Sequence, residues 1–146
     1  MTTTEYELTP VTKSLYQDDL SPSTKGSAGI DLRSASDLVI EPNKTELVPT
    51  GLKVALSAGC FGMVSLRSSL GLKGLRLANG IGVIDEDYRG EILMAIHNQG
   101  TDPKVVSRGD RLGQIIVLEH STKPFIGVES LDETERGSGG FGSTGR

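Results

Sequence analysis

Three stretches of this chain carry side chains that could do chemistry. The first is Asn79-Gly80-Ile81-Gly82-Val83-Ile84-Asp85-Glu86-Asp87-Tyr88-Arg89-Gly90-Glu91, where two apolar runs flank an acidic turn and read as a hairpin. Three acids so close together are usually a solvated turn, with metal ligation the usual functional alternative. Asp85 lies at the boundary of an apolar strand, a better place for a general base than the tip. The second is Ser65-Leu66-Arg67-Ser68-Ser69-Leu70-Gly71, in which Arg67 ends an apolar strand and two hydroxyls follow at a helix start. A surface ion pair with Ser68 as an N-cap is the slightly favoured reading. The alternative is an anion site, with donors converging near a helix N-terminus.

The third stretch is the tail. Gly137 and Gly142 have the spacing of a phosphate loop and Ser143-Thr144 follow, but the lysine of that motif is missing and no strand clearly leads in. It is not a P-loop. What remains is a run of backbone N–H groups, two hydroxyls, a cation and the π face of Phe141. Those groups suit a nucleotide, whose phosphates need donors and whose base can be stacked. On composition alone, a spare linker is favoured over an arm that orders on a ligand.

The elements that must position these residues are short. Glycine is abundant at 19 residues, and with proline it cuts the chain into pieces that alternate or are rich in β-branched residues. Leu38–Ile40, Gly51–Leu56, Phe61–Leu66, Gly90–His97 and Arg111–Leu118 read as strands of a sandwich or barrel. The best helical candidate is Ser68–Lys73, a turn or two. From Glu129 the chain is charged and then glycine-rich, with too little apolar surface to pack as a core element. Residues 1–128 are therefore expected to form one β domain, and 129–146 a mobile arm.

Bulk properties narrow the class. At 146 residues the chain suits one domain with a modest core. Hydrophobic residues make up 36% and aromatics 4%, with no Trp, a lean core that would gain from burial against a partner subunit. A net charge of −4 argues against a general nucleic-acid binder. Cys60 stands alone, which excludes an intramolecular disulfide framework and a multi-cysteine zinc site. It reads as a strand or turn residue. Met1–Leu20 lacks the apolar core of a signal peptide, and no apolar run approaches a membrane span. A soluble protein of a reducing compartment is the simplest expectation. His97 and His120 lie at strand ends without metal-ligand spacing, and Glu86 and Asp87 read as turn acids.

In order and spacing, five segments together resemble the trimeric dUTP pyrophosphatase family over nearly the whole chain. They are Ala28-Gly29-Ile30-Asp31-Leu32-Arg33, Arg67-Ser68-Ser69-Leu70, Gly82-Val83-Ile84-Asp85-Glu86-Asp87-Tyr88-Arg89-Gly90, Gly109-Asp110-Arg111-Leu112-Gly113-Gln114 and Arg136-Gly137-Ser138-Gly139-Gly140-Phe141-Gly142-Ser143-Thr144-Gly145. The resemblance implies an all-β, distorted jelly-roll or barrel-like subunit, three of which share three active sites, each closed by a neighbour's C-terminal arm. The implied reaction is hydrolysis of dUTP to dUMP and pyrophosphate by water attack at the α-phosphorus. That reaction would limit uracil incorporation into DNA and supply dUMP for thymidylate synthesis.

The same resemblance assigns roles. Asp85 matches the catalytic acid that orients and deprotonates the water. Gly82 lies in the segment that reads uracil, with Asn79, and Tyr88 packs on the deoxyribose face and excludes a 2′-hydroxyl. Arg67, Ser68, Ser69 and Gln114 are expected at the phosphates, the contacts of Ser69 being less defined. Arg136 matches the γ-phosphate arginine, Phe141 stacks on uracil, and Gly142, Ser143 and Thr144 complete the arm. Mg²⁺ is the expected cofactor, on the triphosphate oxygens, with Asp31 holding it through water. The partners implied are dUTP and two further copies of the chain, with no nucleic acid and no membrane. The compartment implied is the cytoplasm or nucleus, or a host cell if the source is viral. One departure stands out: the second segment usually reads Pro-Arg-Ser-Gly, whereas Leu66 and Ser69 flank Arg67-Ser68 here. Arg-Ser-Ser-Leu is also similar to dCTP deaminases of the same fold, which makes a deaminase the alternative. Asp85, Tyr88 and the arm favour the triphosphatase.

Overall fold

The structure is a computed structural model and describes residues 3–10, 12–16, 20–143 and 145. Among these, eleven strands, a 3-10 turn at Lys13–Leu15 and one α-helical turn alternate with tight turns; the strands and the α-helical turn are labelled in chain order. They are β1 (Glu5–Leu8), β2 (Ile30–Arg33), β3 (Leu38–Ile40), β4 (Thr45–Pro49), β5 (Leu52–Ala55), β6 (Cys60–Leu66), α1 (Ser68–Gly71), β7 (Leu75–Leu77), β8 (Gly82–Ile84), β9 (Leu93–Asn98), β10 (Lys104–Val106) and β11 (Arg111–Glu119). All five stretches expected as strands fall on strands. Period-two alternation is the cause: in β9, Met94, Ile96 and Asn98 are buried while Leu93, Ala95 and His97 face outward.

All pairings are antiparallel and most join strands distant in sequence. A four-stranded sheet runs β2-β11-β6-β8, a three-stranded sheet runs β4-β9-β7, and β1-β5 and β3-β10 form two smaller ribbons. The crossovers that insert β11 between β2 and β6 are those of a jelly roll. Leu32, Ile40, Val48, Leu52, Met94, Ile96 and Leu112 form the dry centre. A methyl group on Gly113 of β11 would stand 2.6 Å from the end of Met94, so the two larger sheets pack directly on one another there. The buried Asn98 amide donates to the Ile40 and Asp102 carbonyls, each at 2.8 Å, and accepts from Gly100 N–H. Every one of its groups that leaves water thus finds a partner.

Tyr16 pins the interior from outside the strands. Its hydroxyl donates to the Thr50 carbonyl at 2.7 Å and accepts from Arg33 N–H at 3.1 Å. Burial pushes this phenol above its ordinary ionisation range, with the backbone hydrogen bond to Arg33 pulling the other way.

Two local expectations are corrected. The acidic turn does not close a hairpin: β8 pairs with β6, whereas β9 pairs with β4 and β7. Residues 85–92 therefore carry the chain from one sheet to another. Ser68 does not cap the helix either. The N-cap position belongs to Arg67, in extended conformation, without a side-chain cap. The reason is β11, which accepts Arg67 N–H on the Leu112 carbonyl at 2.9 Å and so holds that residue in strand geometry.

Candidate active site

The four-stranded sheet carries Asp31, Gly82 and Gln114 on its strands, with Arg67 and Asp85 directly after two of them. On it Gln114 of β11 lies opposite Asp31 of β2 on one side and Ser65 of β6 on the other. The Gln114 amide donates to Ser65 Oγ at 3.3 Å. Arg67 follows directly, its guanidinium reaching the Arg111 carbonyl at 3.4 Å. A bulge between Arg111 and Gly113 turns Leu112 into the core. It leaves Arg111 exposed beside Asp31, at 3.6 Å from Oδ2. Asp31, Arg67 and Gln114 are thus brought to one end of the sheet, with the exposed Ser68 and Ser69 on the turn that follows.

Asp85 and Tyr88 lie at the other end, where they line a cleft of about 160 Å³ with Val83, Glu91 and Leu93. Tyr88 N–H donates to the Asp85 carbonyl at 3.1 Å, closing the turn. Among the described residues no partner holds the Asp85 carboxylate, which leaves it open to water. The Tyr88 ring lies on Gly90, where an added Cβ would stand 2.3 Å from the phenol oxygen, and its hydroxyl donates to the Glu91 carbonyl at 2.9 Å. Asn79 and Gly82 lead into β8 from an exposed turn in which Gly80 adopts a φ of 75°. Gly82 permits close passage over Val64, since a Cβ there would come within 2.9 Å of the valine.

Sequence reasoning missed the residues that fix this turn. Glu86 is more than a turn acid: its carboxylate accepts Gly59 N–H from the β5–β6 turn. Glu91 accepts Gly51 N–H at 2.6 Å. Arg111 had no assigned role. No local signal marks any of them, because each partner is remote in sequence.

The tail joins none of this within its own chain. Residues 121–138 are exposed throughout, and Phe141 is fully exposed with a φ of 51°. Arg136 folds back on Gly139, its Nε donating to that carbonyl at 3.0 Å. Thr144 lies outside the described residues.

For a divalent cation the fit is of one kind only. Asp31 Oδ2 is engaged by Ser23 Oγ at 3.0 Å and by Arg111, while Oδ1 has no partner among the described residues. A carboxylate already neutralised on one oxygen suits a hydrated ion better than a directly ligated one. Among the described residues, no group of three or more His, Cys, Asp or Glu side chains could hold a metal.

An antiparallel jelly roll that sets an exposed carboxylate in a cleft at one end of a sheet, and the Arg67 guanidinium and Gln114 amide at the other, defines the class as a jelly-roll domain with polar side chains gathered on one sheet. The chain belongs to the dUTPase family, whose model matches residues 16–145. The deoxyuridine 5′-triphosphate nucleotidohydrolase of Desulfitobacterium hafniense is 52% identical over 127 residues, covering 84% of both chains. The fold matches the Staphylococcus bacteriophage 80alpha dUTPase solved with dUPNHPP, at a TM-score of 0.87, 23% identity and 99% of each chain. It also matches a point mutant of the dUTPase from phage phi11 of S. aureus, described for its coordination of a structural Mg(II) ion. There the TM-score is 0.76 at 21% identity, over 88% of this chain and 97% of that one. The deaminase alternative is not favoured by these relationships.

Proposed function

We propose that this chain hydrolyses dUTP to dUMP and pyrophosphate in active sites shared between subunits of a homotrimer. The observation that carries the reading is the cleft in which the open Asp85 carboxylate and the Tyr88 ring both face one small space. Backbone groups from Asn79 to Gly82 read the uracil edge. A close-fitting backbone leaves no room for the thymine methyl, and cytosine strands buried polar groups. Tyr88, held down by Gly90 and Glu91, packs on the deoxyribose and leaves no space for a 2′-hydroxyl.

Asp85 orients a water and takes its proton as the water oxygen bonds to the α-phosphorus. The bond from that phosphorus to the α–β bridging oxygen breaks, and the electron pair leaves with pyrophosphate. Positioned donors offset the charge: Gln114 from the sheet, Arg67, Ser68 and Ser69 from the turn after β6, and Arg136, Gly142, Ser143 and Thr144 from the arm, with Phe141 on the base. Mg²⁺, held through water by Asp31, would supply further neutralisation of the triphosphate.

Strand register supports the shared site. Ile84 lies opposite Gly62, so Asp85 is level with Phe61, six residues before Arg67 on β6. At ~3.3 Å per residue that separation is about 20 Å, too far for both side chains of one copy to meet adjacent phosphates. The chain leaves the sheet at Glu119, opposite Cys60. Up to ~3.3–3.6 Å per extended residue gives it ample reach to a neighbour. Residues 129–146 are taken as the arm that closes the neighbouring site, and residues 1–128 as the domain.

Among the described residues no helix is long and apolar enough to cross a membrane. On this reading the enzyme works in the cytoplasm or nucleus. Pyrophosphate release measured across dUTP, dCTP, dTTP and UTP tests it, with turnover expected for dUTP alone. Ammonia release from dCTP without pyrophosphate would overturn it in favour of a deaminase.

A further inference from the structure

Beside Arg67, on the side facing β10, lies a second cavity of about 250 Å³, separate from the cleft of Asp85 and Tyr88. Arg67, Lys73, Lys104 and Arg111 all line it, against a single acid, Asp110. Asp110 is partly committed, since its Oδ2 accepts Ser107 N–H at 2.9 Å. Arg111 is shared with Asp31. Lys73 and Lys104 have no hydrogen-bond or ion-pair partner among the described residues. The two lysines come from different elements, Lys73 from the turn after α1 and Lys104 from the first position of β10. The fold, and no local run of charge, therefore brings both residues to the wall of one cavity.

Four cations around one cavity repel each other, and the chain as a whole is acidic at −4, so this concentration of positive charge runs against the overall balance. Such an arrangement is relieved by a multiply charged anion. No aromatic side chain lines the cavity, so a base would find nothing to stack on. Ser69 at its edge adds a hydroxyl donor. The space is many times that needed for one water, and lysines bind phosphoryl groups as point charges without demanding a planar partner. A compact anion with two phosphoryl groups and no base satisfies each of these features.

We infer that the cavity between α1 and β10 is a binding site for inorganic pyrophosphate, held by Lys73 and Lys104 together with Arg67 and Arg111. As a product site it rests on the proposed dUTP hydrolysis, which releases this anion next to Arg67. Because Arg67 is also a proposed contact of the substrate phosphates, pyrophosphate resting here competes with the next substrate for its guanidinium. The pocket is thus a product-inhibition site, and its strength is set by two lysines that the chemistry does not require at the α-phosphorus.

The test titrates the full-length protein with inorganic pyrophosphate by calorimetry, at fixed salt and fixed Mg²⁺, and repeats it for K73A/K104M. The double variant is expected to bind pyrophosphate at least about tenfold more weakly, as for loss of close charge pairs. K73R/K104R should restore binding, and K44A/K123A, which removes equal charge elsewhere, should not alter it. Melting curves identify any variant that fails to fold, in which case K73R/K104R against wild type with K104M alone decides. No pyrophosphate binding by the wild type, or equal loss in K44A/K123A, would overturn the site. Inorganic phosphate binding as tightly as pyrophosphate would overturn the two-phosphoryl assignment. A protein that binds pyrophosphate through the two lysines but fails to turn over dUTP would leave the anion pocket standing and sink the proposed reaction.

Discussion

Asp85 directly follows β8 and its carboxylate has no partner among the described residues, so its substitution should expose its chemical role cleanly. Asp85→Asn keeps shape and removes the proton acceptor. Turnover should fall by ~10²–10⁴, typical of a positioned base, while binding of a non-hydrolysable dUTP analogue persists. A variant keeping more than about a tenth of wild-type turnover would end the base assignment. Gly90 makes a different prediction. A methyl group there would occupy the place of the Tyr88 hydroxyl, 2.3 Å away, so Gly90→Ala must lift the ring. Discrimination against UTP should relax, with the ratio of kcat/KM for dUTP over UTP falling well below that of the wild type. An unchanged ratio would show that Tyr88 does not guard the 2′ position. Asp85, Tyr88 and Arg67 could be proposed from the sequence because they fall in runs of fixed spacing. Glu86, Glu91 and Arg111 were not, because they act on Gly59, Gly51 and Asp31, and only the folded chain brings those pairs together.

At the scale of elements, alternation reveals which pieces become strands but carries no information on their partners. This is why Gly90–His97 was read correctly as a strand and wrongly as the second arm of a hairpin. Pairing is decided where the apolar faces of both larger sheets must be covered at once, and the chain between Asp85 and Ile92 crosses sheets to achieve that. The helix boundary at Arg67 yielded likewise to a tertiary hydrogen bond from β11. Tyr16 offers a test of how such elements are held. Tyr16→Phe leaves the Thr50 carbonyl and Arg33 N–H without their buried partner, which should cost about 1–3 kcal/mol in urea unfolding with m unchanged. The pH dependence has a definite sign. The folded phenol ionises later than the unfolded one, so its full contribution is present below the ordinary tyrosine range, about pH 10. It is lost as pH climbs from there toward the raised folded value. Tyr16→Phe should flatten that alkaline decline; an equally steep decline would mean other groups cause it.

At the scale of the whole molecule the prediction concerns which chain supplies what. Asp85→Asn and Arg136→Ala homotrimers should each be nearly inactive, the second because an arginine finger contributes about 10³–10⁵ in related chemistry. Co-refolded equal mixtures should regain activity, since roughly a quarter of sites then draw both intact residues from different subunits. A site confined to one chain never recovers, as every chain carries one lesion. Mixed trimers verified by native mass spectrometry yet inactive would refute the shared site. The division of labour proposed above is not visible in composition or motif order. Its support is the register: the count of residues along β6 separates Asp85 from Arg67.

The exposed tail has a thermodynamic consequence of its own. Holding each of its residues in one conformation costs on the order of 1–2 kcal/mol, and glycine, which recurs at 137, 139, 140, 142 and 145, loses the most freedom of any residue. A tail ordered over the site can stay ordered only while its contacts to phosphates and base offset that entropy. In the proposed reaction, cleavage of the α–β linkage would divide those contacts between two smaller molecules, leaving each with fewer to hold the tail down. The glycines would then work as a clock: the closed state would last about as long as the triphosphate does, and warming, which raises the entropic term, would shorten it.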